Sequence, residues 1–451
     1  MKMAISVRIL AITSLLMLAV SFAFCEEAAQ EAASAPDQPD IVKVDLAKDA
    51  GPVTYRASGF LHAISVTEPS PALVDQLKPK LFRMRAEDWS KEGKGGFANY
   101  KRVKMLGARL QIVMSDSHGY ALAGWWPGDT EERWTQWLGI VEGLLKISQA
   151  LKMDVEWDIW NEPNLGYFWG RDRERFFETW RKAYLKIREL DPKAIIVGPS
   201  ISGYDGAWME AFLKYAKTNS VLPDILAWHQ FTAPKTIPKQ VKEAQDLMAA
   251  NGIDIKRICL NEILTVDQTL RPGVTVCYFA SLERLKIDGA CHACWNDKEQ
   301  GVSACENNSL DGILTHPDKQ PRSAWWAYKC YADITGRLVD VESGEKVDGV
   351  AGKDAKAKTV KILLGGTGKK ESPGIKVDLN IANMKSAPFP AKTGKVHVVV
   401  ERIPASGYDA VTSLTKTIDA DYQVKDNQLK IELPDFGPAD AYFITLGPVR
   451  K

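Results

Sequence analysis

Excess charge of either sign is absent from this sequence of 451 residues. Lys and Arg number 58 and Asp and Glu number 57, which gives a formal net charge of +1. A chain this balanced lacks the basic surface that binds nucleic acid or anionic lipid, so we expect neither as a partner. Hydrophobic residues at 45% and charged residues at 25% are typical of a soluble globular protein and exclude intrinsic disorder.

The apolar run at the start of the chain is too short to span a bilayer. It extends from 9 to 24, whereas a spanning helix needs about 20 residues. Two basic residues flank it and small residues end it, which predicts a signal peptide over 1–25 and a secreted or periplasmic protein with no integral membrane span. The alternative, lipid attachment through Cys25, stays open, although Phe24 is bulky for that position.

Cysteine is missing between Cys25 and Cys259. The sequence also lacks a complete group of Cys and His residues at the spacing of metal ligands. The CxxC at 291–294 has no second CxxC or paired His at zinc spacing, so the sequence predicts no metal site. In an exported chain an even number of cysteines favours disulfides, with buried thiols as the alternative. We prefer the pair Cys294–Cys305, which would close a polar loop. The six cysteines are Cys259, Cys277, Cys291, Cys294, Cys305 and Cys330.

Eight short apolar runs alternate with amphipathic segments in the first two thirds of the chain. Eight strands separated by helices predict an α/β fold, a closed (β/α)8 TIM barrel over 55–335. The competing open, doubly wound sheet would show a glycine-rich turn after its first strand, and 59–62 is not one. The runs are 58–64, 80–85, 109–114, 154–160, 194–198, 224–228, 257–261 and 289–295, and the clearest helical segments are 131–151 and 173–190.

The pattern changes after Pro321. Residues 323–335 predict the last barrel helix, and from 336 onward β-rich segments with turn signals show no helical periodicity. They predict a C-terminal antiparallel β-sandwich over 336–451, joined by a strand in the preceding segment 26–54, which is otherwise a linker. Such a domain binds carbohydrate or supports the barrel. Because a cluster of aromatic residues is lacking, we favour support.

Two glutamates stand at strand ends where a barrel has its active site. The fourth run ends in Trp-Asn-Glu-Pro, which places Glu162 at the mouth, and the seventh ends in Asn-Glu, which places Glu262 there as well. Two carboxyl groups facing each other across a barrel mouth are the requirement of glycoside hydrolysis. Either glutamate alone would be an ordinary loop acid, but the pair predicts a catalytic site.

Trp-Asn-Glu-Pro after strand four, together with a glutamate at the end of strand seven, resembles clan A of the retaining glycoside hydrolases. The attached sandwich with its N-terminal strand is most similar to the family 39 group of β-xylosidases and exopolysaccharide hydrolases, and less so to family 51 arabinofuranosidases. The resemblance implies that Glu162 is the general acid/base, Glu262 the nucleophile and Asn161 a ligand of the sugar 2-hydroxyl. It implies no cofactor.

Other mouth residues follow from the same resemblance. Arg83 and Arg85 end the second run on one face of the strand, and the resemblance implies that one of them keeps the nucleophile ionised by lowering its pKa. Which arginine does so stays open. His229 ends the sixth run, where the clan often has a sugar-contacting His or Tyr, and His62 lies in the first run; a structural role is the alternative for both histidines.

Aromatic side chains complete the predicted site. Trp295 ends the eighth run, where the clan often has a tryptophan that forms the floor of the sugar site. Trp125, Trp126 and Trp169 lie in loops after strands three and four and are candidate platforms, because aromatic rings stack on the apolar face of sugars. For each of these three, packing is the alternative.

Taken together, these features predict an exported retaining glycoside hydrolase that acts on a poly- or oligosaccharide by double displacement. Two alternatives stay open: a non-catalytic carbohydrate-binding protein on the same scaffold, and a transglycosylase that uses the same site. The sequence predicts neither the sugar, nor its linkage, nor the oligomeric state.

Overall fold

The computed structural model describes residues 38–86, 93, 95–115, 126–297, 302–390 and 394–449. The predicted signal peptide, 1–25, and the start of the predicted linker lie outside these residues. Among the helices of the described part, none is long and apolar enough to cross a membrane.

Eight parallel strands form a closed barrel, as the apolar runs predict. The barrel closes where Phe60 on its first strand pairs with His292 on its last. Helices cover the outside of such strands, which are therefore buried on both faces and have nearly continuous apolar sequences. The barrel strands are β2 (Gly59–Phe60), β3 (Leu81–Arg85), β4 (Arg109–Val113), β5 (Glu156–Asp158), β6 (Ile195–Ile201), β7 (Ile225–Gln230), β8 (Arg257–Ile263) and β9 (Gly289–His292), and a short ribbon of β10 (Asn296–Asp297) and β11 (Val302–Ser303) follows.

Side-chain caps define where the long outer helices begin. The Thr130 hydroxyl and the Asp172 carboxylate each accept a hydrogen bond from a backbone amide three residues later, which satisfies a donor that the helix leaves free. The described helices are α1 (Pro71–Val74), α2 (Gly96–Met105), α3 (Glu131–Ala150), α4 (Arg173–Leu190), α5 (Gly206–Thr218), α6 (Ile237–Ala250), α7 (Val266–Thr269), α8 (Pro272–Arg284) and α9 (Ser323–Asp333).

The remaining strands form a sandwich-like nine-stranded sheet that includes the strand before the barrel. This strand, β1 (Asp40–Pro52), pairs antiparallel with β12 (Arg337–Glu342) and parallel with β15 (Ile375–Ala382). The parallel pair differs from the antiparallel arrangement predicted, because a strand that arrives from far away in sequence has no hairpin to fix its direction. The other strands are β13 (Val347–Asp354), β14 (Thr359–Gly366), β16 (Lys395–Ile403), β17 (Thr415–Gln423), β18 (Gln428–Phe436) and β19 (Ala441–Gly447), in the order β17-β16-β19-β14-β13-β12-β1-β15-β18.

One face of the sheet packs on the barrel. Alternate residues of β14 belong to the sheet's own core, whereas Leu363 of that strand belongs to the core of the barrel, together with Leu338 and Phe443. Successive side chains of a strand point to opposite faces, so β14 is buried on both. The barrel and the sheet thus share an apolar boundary.

The predicted disulfide is present. Cys294 and Cys305 are bonded, with their Cα atoms 5.1 Å apart, so that the end of the last barrel strand is tied to the loop that follows. The other cysteines of this region are buried thiols, and burial raises the pKa of each. A protonated, buried thiol is unreactive, which indicates a packing role. These thiols are Cys259, Cys277, Cys291 and Cys330.

Backbone packs directly on backbone where α8 meets the sheet. The Gly273 amide donates to the carbonyl oxygen of Ala439 at 3.0 Å, and a Cβ atom at Gly273 would overlap the carbonyl oxygens of Gly366 and Asp440. We therefore expect Gly273→Ala to lower the free energy of unfolding by roughly 1–3 kcal/mol in urea denaturation, the usual effect of overpacking.

Gly139 provides the matched control for this substitution. It lies in α3 and a Cβ atom there would meet nothing within 4 Å. Gly139→Ala should raise the free energy of unfolding by about 0.5–1 kcal/mol, because alanine loses less backbone entropy in a helix. Equal shifts in the two variants would contradict the steric explanation.

Candidate active site

The carboxyl ends of four barrel strands bring the predicted polar residues together. Arg83 lies on β3, Glu162 follows β5, His229 lies on β7 and Glu262 lies on β8. The register of the paired strands sets how far along the barrel axis each residue lies, and His229 is the Cα partner of Glu262. The side chains of both glutamates are almost buried, 10% and 13% exposed. The two acids predicted from strands four and seven therefore face one mouth.

Arg83 joins three side chains of this site. Its Nε donates to Asp158 at 2.8 Å, its Nη1 to Glu262 at 2.7 Å and its Nη2 to Asn161 at 2.9 Å. The guanidinium is planar and 1% exposed, so each of its donors has a fixed direction. The bond to Glu262 is charge-assisted and favours the carboxylate form. Of the two candidate arginines, Arg83 is the one that contacts the predicted nucleophile.

Three residues that the sequence analysis missed support Arg83 from below. Asp158 is fully buried and accepts hydrogen bonds from Arg83, from the Ser200 hydroxyl at 2.9 Å and from the Asn261 amide at 3.0 Å. Burial raises the pKa of Asp158, and the charge and hydrogen bond of Arg83 oppose this. A signal was available: Asp158 is a charged residue inside an apolar strand, and such a residue needs a buried partner.

His229 contacts both predicted catalytic acids. Its Nδ1 is 2.8 Å from Oε1 of Glu162, and its Nε2 is 3.7 Å from Oε1 of Glu262. The imidazole is fully buried, so its orientation is fixed. One ring therefore lies between the two carboxyl groups, hydrogen-bonded to Glu162 and near Glu262. Its predicted role was a contact with sugar.

The backbone of Glu162 is in the left-handed region, with a φ of 46°. This conformation is uncommon for a non-glycine residue, more so before proline, and such strain is held at functional sites by surrounding bonds. The Glu162 amide donates to the carbonyl oxygen of Ser200 at 3.0 Å, and Asn164 exchanges two hydrogen bonds with the backbone of Ser202. The turn after β5 is thus fixed to β6 on both sides of Pro163.

Opposing effects act on the pKa of Glu162. Burial raises it, but the hydrogen bond and charge of His229, followed by Ser202 and Arg83, outweigh burial and lower it. In the substrate-free site Glu162 is therefore a carboxylate that can accept a proton.

An aromatic wall adjoins the acids. Trp295 is partly exposed and donates from its indole to the carbonyl oxygen of Leu264 at 3.0 Å. Phe231, which was not predicted as a site residue, lies between Trp295 and His229, with ring centroids 5.3 and 5.7 Å away. His62 is half-buried beside the arginines, with its Nδ1 atom buried. Burial, with the charges of Arg85 and Arg83, holds its pKa well below the usual range, so it is a neutral side chain.

Two groups of predicted residues have contacts that differ from the predicted ones. Arg85 forms an ion pair with Glu306 at 2.7 Å in place of a contact with the nucleophile. Trp126 and Trp169 are only 5% and 3% exposed and pack against each other at 5.6 Å, within a cluster that includes Trp160. Their faces are covered by other rings, so a sugar platform does not fit this packing. Trp125 lies outside the described residues.

Beneath the mouth, His292 is fully buried at the end of β9. Neither ring nitrogen has a hydrogen-bond partner among the described residues, and burial lowers the pKa of His292 to about 4 from 6.5. Between about pH 6.5 and pH 4 the unfolded chain binds a proton that the folded chain does not, so the free energy of unfolding falls as the pH falls. The difference of about 2.5 pKa units corresponds to roughly 3 kcal/mol.

We therefore expect His292→Phe to reduce the loss of stability between pH 7 and pH 4 by about 3 kcal/mol. Urea denaturation of both proteins across this range measures the difference. Any packing cost of the larger ring is independent of pH and shifts the whole curve without changing its slope. Parallel curves for the wild type and the variant would contradict the prediction.

A closed barrel whose mouth holds two facing glutamates, an arginine hub and an Asn-Glu-Pro turn has the architecture of the barrel glycoside hydrolases. Residues 129–265 match the model of glycosyl hydrolases family 39. This segment contains both Glu162 and Glu262. The match confirms the predicted resemblance to this family.

Known proteins support the same relationship. The chain is 23% identical over 275 residues to a 3-O-alpha-D-galactosyl-alpha-L-arabinofuranosidase of Bifidobacterium longum subsp. longum. The matched segment covers 54% of this chain and 23% of the relative. It spans about a quarter of the length of the curated relatives it matches.

Solved structures resemble nearly the whole chain. A protein of Neocallimastix frontalis has a TM-score of 0.78 at 24% identity, covering 91% of this chain and 100% of that one. A monomeric beta-xylosidase of Caulobacter crescentus has a TM-score of 0.64 at 17% identity, with coverage of 91% and 100%. At these identities the structures show the fold that the two proteins share with this chain.

Proposed function

We propose that this protein is a retaining glycoside hydrolase that cleaves O-glycosidic bonds of a poly- or oligosaccharide by double displacement. Glu262 attacks the anomeric carbon and forms a glycosyl-enzyme, while Glu162 protonates the departing oxygen. Glu162 then deprotonates the water that releases the sugar. The observation that carries the proposal is His229, a single imidazole that lies within 2.8 Å of one acid and 3.7 Å of the other.

The contacts of each glutamate fit its proposed role. Arg83 binds Glu262 through a charge-assisted hydrogen bond, and a nucleophile has to be ionised. Glu162 must carry a proton in the first step, although His229 lowers its pKa in the empty site. A sugar in the mouth removes water from Glu162, which raises the pKa of a carboxyl group and supplies the acid form. Asn161, held by Arg83 at 2.9 Å, is then placed to bind the sugar beside Glu162.

The relatives indicate which substrates to test first. Two of them are named as arabinofuranosidases and one structural neighbour as a beta-xylosidase. We therefore propose α-L-arabinofuranosides and β-D-xylosides as the first members of a panel of aryl glycosides and polysaccharides. Turnover of any member supports hydrolysis and excludes the non-catalytic alternative. Longer products in the presence of acceptor sugars would identify a transglycosylase instead.

Stereochemistry tests the mechanism. Double displacement needs the two carboxyl groups about 5–5.5 Å apart and gives a product with the anomeric configuration of the substrate. We expect NMR of the first product formed to show retention. An inverted first-formed anomer would exclude Glu262 as the nucleophile of a covalent step.

We further propose that the protein is exported to the periplasm or beyond the cell. The disulfide between Cys294 and Cys305 supports an oxidising compartment, because such bonds are rare in the reducing cytosol. Cell fractionation, with the mass of the mature chain, tests cleavage after the predicted signal peptide, 1–25.

A further inference from the structure

The turn that carries Glu162 also carries an exposed apolar pair, Leu165 and Tyr167. Leu165 is 39% exposed and Tyr167 is 61% exposed. Tyr167 is the only aromatic residue among the large apolar side chains of the described residues that are largely exposed. Single exposed apolar residues are common, but this pair lies within five residues of a proposed catalytic acid.

Backbone bonds hold Tyr167 close to Glu162. The Leu165 amide donates to the carbonyl oxygen of Glu162 at 3.0 Å. The carbonyl oxygen of Leu165 accepts from the amides of Phe168 and Trp169 at 3.0 and 2.8 Å. The Trp160 indole also donates to the carbonyl oxygen of Phe168 at 2.9 Å. The chain therefore folds back on itself beside Glu162, and Tyr167 lies in a rigid turn on the mouth side of the barrel.

The Tyr167 ring also contacts a neighbouring ring. It packs edge to face on Phe168, with centroids 4.8 Å apart and an interplanar angle of 89°. An aromatic side chain has only two rotatable bonds, so it offers a large contact surface and loses little conformational entropy when a ligand binds. Its negative face attracts the C–H groups on the apolar side of a sugar ring.

We infer that Leu165 and Tyr167 form a binding site for the leaving portion of the substrate, a saccharide ring that departs from the bond cleaved at Glu162. This inference rests on the proposed function, because Glu162 protonates the oxygen of the departing sugar and that sugar must lie on the same side of the mouth as Glu162. The pair selects substrates by their leaving group, whereas the sugar that is transferred lies against Glu262.

The test compares two leaving groups on one transferred sugar. A disaccharide and the glycosyl fluoride of the same sugar, taken from the xylosyl, arabinosyl and glucosyl series according to wild-type activity, are assayed with Tyr167→Ala. Fluoride has no ring to contact Tyr167. We expect the ratio of kcat/KM for the disaccharide to kcat/KM for the fluoride to fall roughly three- to tenfold, mainly through KM, as expected for loss of one aromatic contact.

Two further variants make the test specific. Tyr167→Phe keeps the ring and should restore the ratio of the wild type. Leu185→Ala removes a 45% exposed leucine from α4, away from the turn, and should leave the ratio unchanged. A Tyr167→Ala variant with an unchanged ratio, whether or not both substrates are lost in parallel, would overturn the inference. A wild-type protein that turns over neither substrate would overturn the proposed function as well.

Discussion

Glu162→Ala and Glu262→Ala should differ sharply in how their activity depends on the leaving group. With a dinitrophenyl glycoside, whose leaving group is already a stable anion, Glu162→Ala should form the glycosyl-enzyme nearly as fast as the wild type. With a natural disaccharide it should be slower by about 10²–10⁴-fold, because the departing oxygen needs a proton. Glu262→Ala should lose turnover of both substrates, since no covalent intermediate can form.

The intermediate itself distinguishes the two roles. In Glu162→Ala the base that activates water is missing, so the glycosyl group should accumulate on Glu262, where mass spectrometry of the digested protein locates it. Azide should restore turnover of this variant, because a small anion needs no base. Equal losses on both leaving groups, or exchange of the two patterns, would show that the roles are assigned wrongly.

Arg83→Met should lower both stability and activity. The substitution keeps an unbranched apolar side chain but leaves Asp158 and Glu262 without the cation that both contact. Breaking a buried ion pair from one side typically lowers the free energy of unfolding by about 3–5 kcal/mol. We also expect kcat/KM to fall by roughly 10²-fold or more, as when a preorganised polar partner of a reacting group is removed.

A second substitution separates the two effects of Arg83. Arg83→Met combined with Asp158→Asn removes the two charges of the Arg83–Asp158 pair, so urea denaturation should show that stability recovers in part, while activity stays low because Glu262 still lacks its contact with Arg83. Arg85→Met on the same strand is the matched control, since its pair with Glu306 is partly exposed and contributes about 0–1 kcal/mol. Recovery of activity in the double variant would contradict the role of Arg83 at Glu262.

The barrel could be located from sequence because its strands are buried on both faces. A run such as 194–198 is short and continuously apolar, and such runs alternate with helical segments. Strand β17 could not be found in this way. It is an edge strand with the sequence TKTIDADYQ and is mostly exposed, so it carries no apolar alternation. The direction of β1 relative to β15 was equally hidden, because side-chain alternation is the same in parallel and antiparallel pairs.

The candidate site was predictable to the extent that it follows from strand ends. Glu162, Glu262, His229 and Arg83 occupy such positions, and the structure brings them into contact. The choice between Arg83 and Arg85 depended on depth along one strand, which alternation leaves undetermined. The role of Trp126 and Trp169 depended on whether other rings cover them, and this is a property of loop packing.

The position of β1 gives the chain an unusual connectivity. β1 ends at Pro52, whose Cα partner on β12 is Arg337, so the chain leaves the sheet and returns to it on neighbouring strands. The barrel is thus an insertion in the loop of a β-hairpin. While this strand pair persists, an opened barrel is a closed ring of chain with less entropy than a free segment. The pairing of β1 with β12 therefore disfavours unfolding of the barrel, because it lowers the conformational entropy of the unfolded segment.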